Sequence, residues 1–433
     1  MIRVAATVVA LLVLLGGTTL PAASGAPADA ATAGVVGVGA QHAQHGEDGE
    51  QRRAFSVKRL MSMNDPTRNR GQVARQLRTL IKHTPRGATI SIMSFYMASS
   101  ITWPALKAAY QRGVDIRAIF YGGAEGKPLP GVSSGGVKLT ELIREGRARG
   151  RRGSWVVWTT NAARGRAGKT TMHAKVWQFS KVGTTRKVTM IGSYNNSDAA
   201  DARAYSAMVT VALPRVYDEV QKVFLQSRKD RKPPGNPQRR ASGDGWDLYF
   251  MPSLPITKEN DPVMDRLRAI PAGPETRMVV SMYSWQGRRG AWIARKLAAM
   301  VRAGSKLRVV VGPDIDRSVV RTVRRAGAKM EDGCWKTGNR KRPYAYTHDK
   351  EMTATWVEDG ETHYAAWLGS DDWGNGGGGS QSDQVTIGLY NEWAFNRLNQ
   401  LLAPQIAHEP DRLSPCHPLP SLRRSAAPHS LLE

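Results

Sequence analysis

The chain has 433 residues, with 62 Lys and Arg against 36 Asp and Glu, for a formal net charge of +26. Its length suffices for two folded domains, and two cysteines exclude a disulfide-built scaffold. So large a positive charge suits anionic partners, nucleic acid and acidic membrane surfaces alike.

The N-terminus reads as a secretory signal over residues 1–29. Arg3 gives a positive start, an apolar run follows from Val4 to Leu15, and small residues continue through Ala26. The run is too short for a convincing membrane span, although a retained anchor is the other reading. No later apolar run is long enough to span a membrane. Export leads to a secreted, extracellular protein and permits Cys334 and Cys416 to pair; two unpaired thiols is the alternative. Residues 30–52 lack any period and are expected to be a disordered tail.

An internal repeat follows. Asn64-Asp65-Pro66 recurs as Asn260-Asp261-Pro262, each before an amphipathic stretch (Val73 to Ile81, Val263 to Ile270). A buried-looking strand comes next, Thr89 to Tyr96 in the first copy and Met278 to Trp285 in the second. A helix then ends at a glycine, Trp103 to Arg112 before Gly113 and Ala291 to Arg302 before Gly304. Asp115 to Tyr121 and Lys306 to Val311 close the units. Near-continuous apolar strands around a helix predict βαβ units and a largely parallel sheet, an α/β fold. Trp177, Trp285 and Trp367 are expected in the core.

Each copy then carries the same signal. Of nine histidines, only His173 and His348 are followed by any residue and a lysine, Lys175 and Lys350. About twenty residues later stand Gly192-Ser193 and Gly369-Ser370. Period two puts each histidine and lysine on one strand face. Asp359-Gly360 between two β-rich runs predicts a hairpin in the second copy. Each Gly-Ser corner could bring a hydroxyl and backbone N–H groups beside imidazole and ammonium, an oxyanion site for phosphate.

Basic residues crowd the approach to both motifs: Arg144, Arg147, Arg149, Arg151, Arg152, Arg164, Arg166 and Lys169 before His173, and Lys336, Arg340, Lys341 and Arg342 before His348. They read as an electropositive rim or as ordinary solvated charge. Residues 228–243, rich in Pro, Gly and charge, read as a linker between domains at 53–227 and 244–406. Residues 407–433 read as a loosely ordered tail.

The motif pair resembles the phospholipase D superfamily, marked by HxKxxxxD followed by Gly-Ser-x-Asn, normally in two copies. His173, Lys175, Gly192, Ser193 and Asn195 match in the first copy. His348, Lys350, Gly369 and Ser370 match in the second, with Asp372 where Asn is usual. Ser180 and Thr355 stand where the motif aspartates would be. The resemblance implies two similar α-β-α sandwich domains about a pseudo-twofold axis, with the active site at their interface. It also implies that His173 is the nucleophile, forming a phosphohistidine, and His348 the general acid. Family members orient each histidine with a carboxylate beyond the Gly-Ser corner. Asp383 fits that place for the second copy; Tyr205 falls near it in the first, where Asp198 and Asp201 could substitute.

Such chemistry needs a nucleophile, a proton for the leaving oxygen and cations on the non-bridging oxygens. Two histidines and two lysines supply these, with Ser193, Asn195 and Ser370 as phosphate-binding donors. No metal and no cofactor is required. Three functions remain in view: a secreted phospholipase D-type phosphodiesterase, a nuclease of the same superfamily, and a non-catalytic binder of anionic ligands. The expected partner is a phospholipid or membrane surface, with nucleic acid possible, and the expected state is a monomer with two pseudo-symmetric halves. Apolar loop residues, Pro128 to Val132 and Trp155 to Trp158, could dip into lipid, although the second run also suits a core strand.

Overall fold

In a computed structural model, residues 54–165, 170–336, 344–375 and 379–406 are described. The expected signal peptide, both tails, Cys416 and the basic residues Arg166, Lys169, Arg340, Lys341 and Arg342 lie outside them. Cys334 is disulfide-bonded.

The repeat builds two sheets with one plan. In the first, Thr89–Ser94 pairs in parallel with Asp115–Tyr121, which pairs in parallel with Trp155–Thr159. In the second, Arg277–Trp285, Lys306–Ile315 and Lys329–Asp332 form the same parallel trio. Each trio is joined on its other side by an antiparallel hairpin, Val176–Val182 with Thr185–Gly192 and Lys350–Glu358 with Glu361–Gly369. Asp359 and Gly360 both take positive φ, 52° and 80°, which closes the second hairpin in two residues. Return strands Ala204–Val211 and Gln384–Leu389 complete the pattern.

The strands are apolar on both faces because both faces are covered. Outer helices Trp103–Gln111 and Ser134–Ala148 bury Leu106, Ala109, Leu139 and Ile143 against the first sheet. Gly287–Arg302 and Arg317–Arg325 bury Trp292, Ile293, Leu297, Val319 and Val323 against the second. A third core lies between the sheets. It joins Met93, Ile191 and Val209 of the first to Leu248, Leu368 and Val385 of the second, with helices Pro214–Ser227 and Glu392–Ile406. Truncating a residue fully buried there, such as Leu398, removes about 2–5 kcal/mol of stability. Among the described residues no helix is long and apolar enough to cross a membrane.

Two elements depart from the simple duplication. Arg239–Gly243, inside the expected linker, is the edge strand of the second sheet, paired with Trp246–Met251. Its charge disguised it, yet exposed Arg239 and Arg240 are what a sheet edge tolerates. The hairpin Cys334–Lys336 and Tyr344–Thr347, from the second half of the sequence, joins the first sheet: Tyr346 and Thr347 pair in parallel with Ala204 and Tyr205.

Candidate active site

Each histidine stands just outside its regular strand, His173 before Val176–Val182 and His348 before Lys350–Glu358. Both are handed there by the opposite half. The His173 amide donates to the Asp383 carbonyl at 3.0 Å, and the His348 amide to the Tyr205 carbonyl at 2.9 Å. The rings are held the same way. His173 Nδ1 lies 3.2 Å from the Ser370 carbonyl oxygen, and His348 Nδ1 3.0 Å from that of Ser193. A carbonyl only accepts, so Nδ1 carries the proton in both rings. Neutral imidazole then presents its lone pair at Nε2.

The lysines follow two residues later on the same face. Lys175 Nζ donates to the His173 carbonyl at 2.8 Å, and Lys350 Nζ to the His348 carbonyl at 2.9 Å. Their relative exposures are 1 % and 3 %, so these are buried ammonium groups. Lys350 also pairs with Asp372 at 3.6 Å. An aromatic ring completes each half-site. Phe95 packs 5.0 Å from the His173 ring and 5.2 Å from Lys175 Nζ; Tyr283 packs 4.8 Å from His348 and 4.6 Å from Lys350 Nζ. Ring faces compensate partly for the water each ammonium has lost. Phe95 follows strand Thr89–Ser94 and Tyr283 stands near the end of its counterpart Arg277–Trp285; the repeat pointed to both segments, but the sequence reading singled out neither ring.

The Gly-Ser corners act through main chain. A side chain on Gly192 would place its Cβ 2.0 Å from the Ala207 carbonyl oxygen, and on Gly369 2.2 Å from that of Val385, so glycine alone fits. Ser193 Oγ accepts from the Ala207 amide at 3.0 Å, and Ser370 Oγ from the Val385 amide at 3.1 Å. Both hydroxyls are thus turned to the return strand and away from the phosphate role expected of them; the corner's gift to the site is its carbonyl. Asn195 keeps its side chain for other use, buried with Oδ1 lacking a hydrogen-bond partner.

The expected orienting carboxylates are elsewhere. Asp383 pairs with Arg164 at 3.1 Å, and burial raises its carboxyl despite that guanidinium. It lies beside His173, not His348. The neighbouring residue points to the opposite face of the strand, and it is Gln384 Oε1 that stands 3.1 Å from His173 Nδ1. Asp198 accepts from the Ser100 amide at 2.8 Å. Asp201 accepts from the Tyr194 hydroxyl at 2.7 Å, and burial pushes it up to about 6. The Tyr205 hydroxyl meets Thr67 at 3.0 Å.

The positions of the missing motif aspartates serve strand ends. Position seven after the histidine is about 23 Å along an extended chain. There Ser180 accepts from the Thr89 amide at 2.8 Å and Thr355 donates to the His363 carbonyl at 2.9 Å, so both serve strand ends. Of the basic approach residues, Arg164 is fully buried in its ion pair, and Arg151 is tied to the Tyr110 carbonyl and ring. Arg144, Arg147, Arg149 and Arg152 are exposed, and Arg149 meets Glu145 at 3.8 Å.

A buried acid pair escaped the sequence reading. Asp349 and Glu351 alternate with His348 and Lys350 and so face the other way, where the first copy has Ala174 and Val176. Ser193 Oγ donates to Glu351 Oε1 at 2.9 Å, and Ser281 Oγ to Asp349 Oδ2 at 3.1 Å. Burial raises both carboxyls, Glu351 well above its ordinary value with a further contribution from the Asp349 charge.

The arrangement offers two Nε2-active imidazoles and two fixed cations, a set suited to displacement at phosphorus. Residues 77–228 match the sequence family described as "Cardiolipin synthase, PLD-like domain". No curated protein matches the chain. Among solved structures, phosphatidylserine synthase of Haemophilus influenzae Rd KW20 matches with a TM-score of 0.51 at 10 % identity, over 80 % of this chain and 85 % of that one. Polyphosphate kinase of Porphyromonas gingivalis matches with a TM-score of 0.50 at 12 % identity, over 82 % of this chain and 53 % of that one. The chain therefore spans about half the length of that kinase.

Proposed function

We propose that this chain, whose residues 77–228 carry a phospholipase D-like domain and whose two-sheet frame is the phospholipase D fold, is an exported phosphodiesterase that cleaves or transfers the phosphodiester of phospholipids. Members of that superfamily act on phosphodiester bonds. The observation that carries the reading is the reciprocal clamp: each imidazole Nδ1 is held by the Ser carbonyl of the other half, so one centre contains both rings.

In the first step Nε2 of His173 attacks phosphorus in line, and the bond to the leaving alcohol breaks. His348, entering as imidazolium, gives its Nε2 proton to that oxygen. In the second step neutral His348 takes a proton from water or an acceptor alcohol, whose oxygen displaces His173 from phosphorus. Lys175 and Lys350 meet the growing charge on the non-bridging oxygens. Burial of two histidines and two lysines without a use for them would be costly, which speaks against a non-catalytic binder.

The lipid assignment draws on the two names above that concern phosphatidyl chemistry, cardiolipin synthase and phosphatidylserine synthase. The net charge of +26 favours the nuclease reading equally well. The test is headgroup release from mixed vesicles against nicking of supercoiled DNA at matched salt, with a chromogenic phosphodiester in excess EDTA as a third arm. Headgroup release and EDTA-resistant hydrolysis are expected. Efficient nicking without headgroup release overturns the substrate, and EDTA-sensitive turnover restored by zinc or magnesium overturns the chemistry.

A further inference from the structure

The outer helices of the second sheet present a surface that catalysis does not use. Gly287–Arg302 and Arg317–Arg325 lie side by side over one face, because both are crossovers between successive parallel strands. Arg288, Arg295 and Arg302 recur every seven residues, two helical turns or about 10 Å apart, and all three are exposed. On the neighbouring helix Arg317, Arg321, Arg324 and Arg325 are exposed along one side. Neither helix contains an Asp or Glu. Among the described residues none of these arginines lies within ion-pair distance of a carboxylate. Asp316 sits at the N-terminal rim, where it accepts from the Gly287 amide at 2.8 Å.

The duplication supplies an internal control. Helices in the same position on the first sheet, Trp103–Gln111 and Ser134–Ala148, carry Lys107, Lys138, Arg144 and Arg147 but also Glu141 and Glu145, the latter paired with Arg149. The fold therefore does not demand an acid-free face. Complementing the negative helix C-terminus accounts for Arg302, Arg324 and Arg325. It leaves Arg295 and Arg321, in mid-helix, unexplained.

We infer that this double arginine row is a docking face for an anionic lipid bilayer. Two parallel helices make a flat array, matching a planar charged surface. Nucleic acid is held by grooves and, when single-stranded, by aromatic platforms. None of the exposed large apolar side chains, Leu60, Leu225, Val357 and Tyr390, lies on these helices. The rows begin beside the strand ends that carry Tyr283 and Trp285, at the catalytic edge of the second sheet. The inference takes its partner from the phospholipid reading but not its test.

The test is sedimentation of the full chain with vesicles of neutral phosphatidylcholine, alone or mixed with an acidic phospholipid, read without reference to turnover. Each basic residue near such a surface is worth about fivefold in affinity, so the variant carrying Arg295→Gln, Arg302→Gln, Arg321→Gln and Arg324→Gln should lose about a hundredfold or more on acidic vesicles. Binding to neutral vesicles and hydrolysis of a soluble phosphodiester should be unchanged. A variant that binds acidic vesicles like the parent overturns the inference. So does a face whose arginines govern affinity for DNA and leave vesicle binding untouched. Loss of turnover on the soluble substrate in the parent would sink the catalytic reading and leave the binding result standing.

Discussion

The Ser193 carbonyl oxygen lies 3.0 Å from Nδ1 of His348, and the same serine's hydroxyl donates to Glu351, three residues further along the chain that carries the histidine. One corner of the first sheet therefore grips the second motif at two points. The converse contact, Ser370 with His173, grips the first motif from the second sheet. Neither half contains a complete centre.

His173→Ala and His348→Ala should each lower kcat by about 10^3-fold or more, and the double variant should be little worse than either, because the rings act as one unit. With an aryl phosphodiester, whose leaving group needs no proton, His348→Ala should accumulate acid-labile phosphohistidine on His173. Rapid-quench labelling checks this, and steady turnover without a trapped intermediate contradicts the assigned roles.

Ser193→Ala removes the partner of the Ala207 amide and of Glu351 while keeping the carbonyl that holds His348. Stability should fall by about 1–3 kcal/mol by urea titration. The kcat should change far less than in the histidine variants. A kcat loss as large as theirs would mean that the hydroxyl itself works on substrate.

Glu351 is a carboxyl raised by burial and by Asp349, so folding favours its protonated form. The sign follows: that contribution is fully present below the unfolded pKa and is lost as pH rises through the folded one. Glu351→Gln keeps an acceptor for Ser193 and cannot ionise. It should match the parent in Tm at low pH and exceed it as pH rises. A Tm difference independent of pH between 5 and 9 would contradict the raised carboxyl.

Arg289, with no exposed surface, binds Asp261 at 3.0 Å and Asp371 at 2.8 Å, and its Nη1 donates to the Asp372 carbonyl at 2.9 Å. Arg289→Met strands two buried carboxylates and should cost about 3–5 kcal/mol. Because Asp372 also faces Lys350, activity surviving in the folded fraction should be reduced as well. Calorimetry with a soluble-substrate assay separates the two effects.

The repeat, its parallel trio and the four HxK residues were legible because each is local: a period, a glycine stop, a two-residue spacing. What stayed hidden crosses between the halves. Gln384 reaches His173 from 211 positions away, and spacing alone put Asp383 on the wrong histidine. One step along a strand reverses the face, so a carboxylate adjacent in sequence was the wrong choice. Ser193 and Ser370 were legible as corners, but not the direction of their hydroxyls, which the Ala207 and Val385 amides decide. Arg239–Gly243 was hidden by its own charge.

The strand Tyr344–Thr347, sewn into the first sheet beside Ala204 and Tyr205, has a consequence for biosynthesis. The residue that follows it is His348, so this imidazole reaches its place only when a later stretch of polypeptide has threaded back onto an earlier one. Residues before Tyr344 can leave the ribosome without both clamped imidazoles in place. A chain cut between Val211 and Tyr344 would lack the strand that carries His348 to Tyr205, and would keep only one of the two clamped imidazoles.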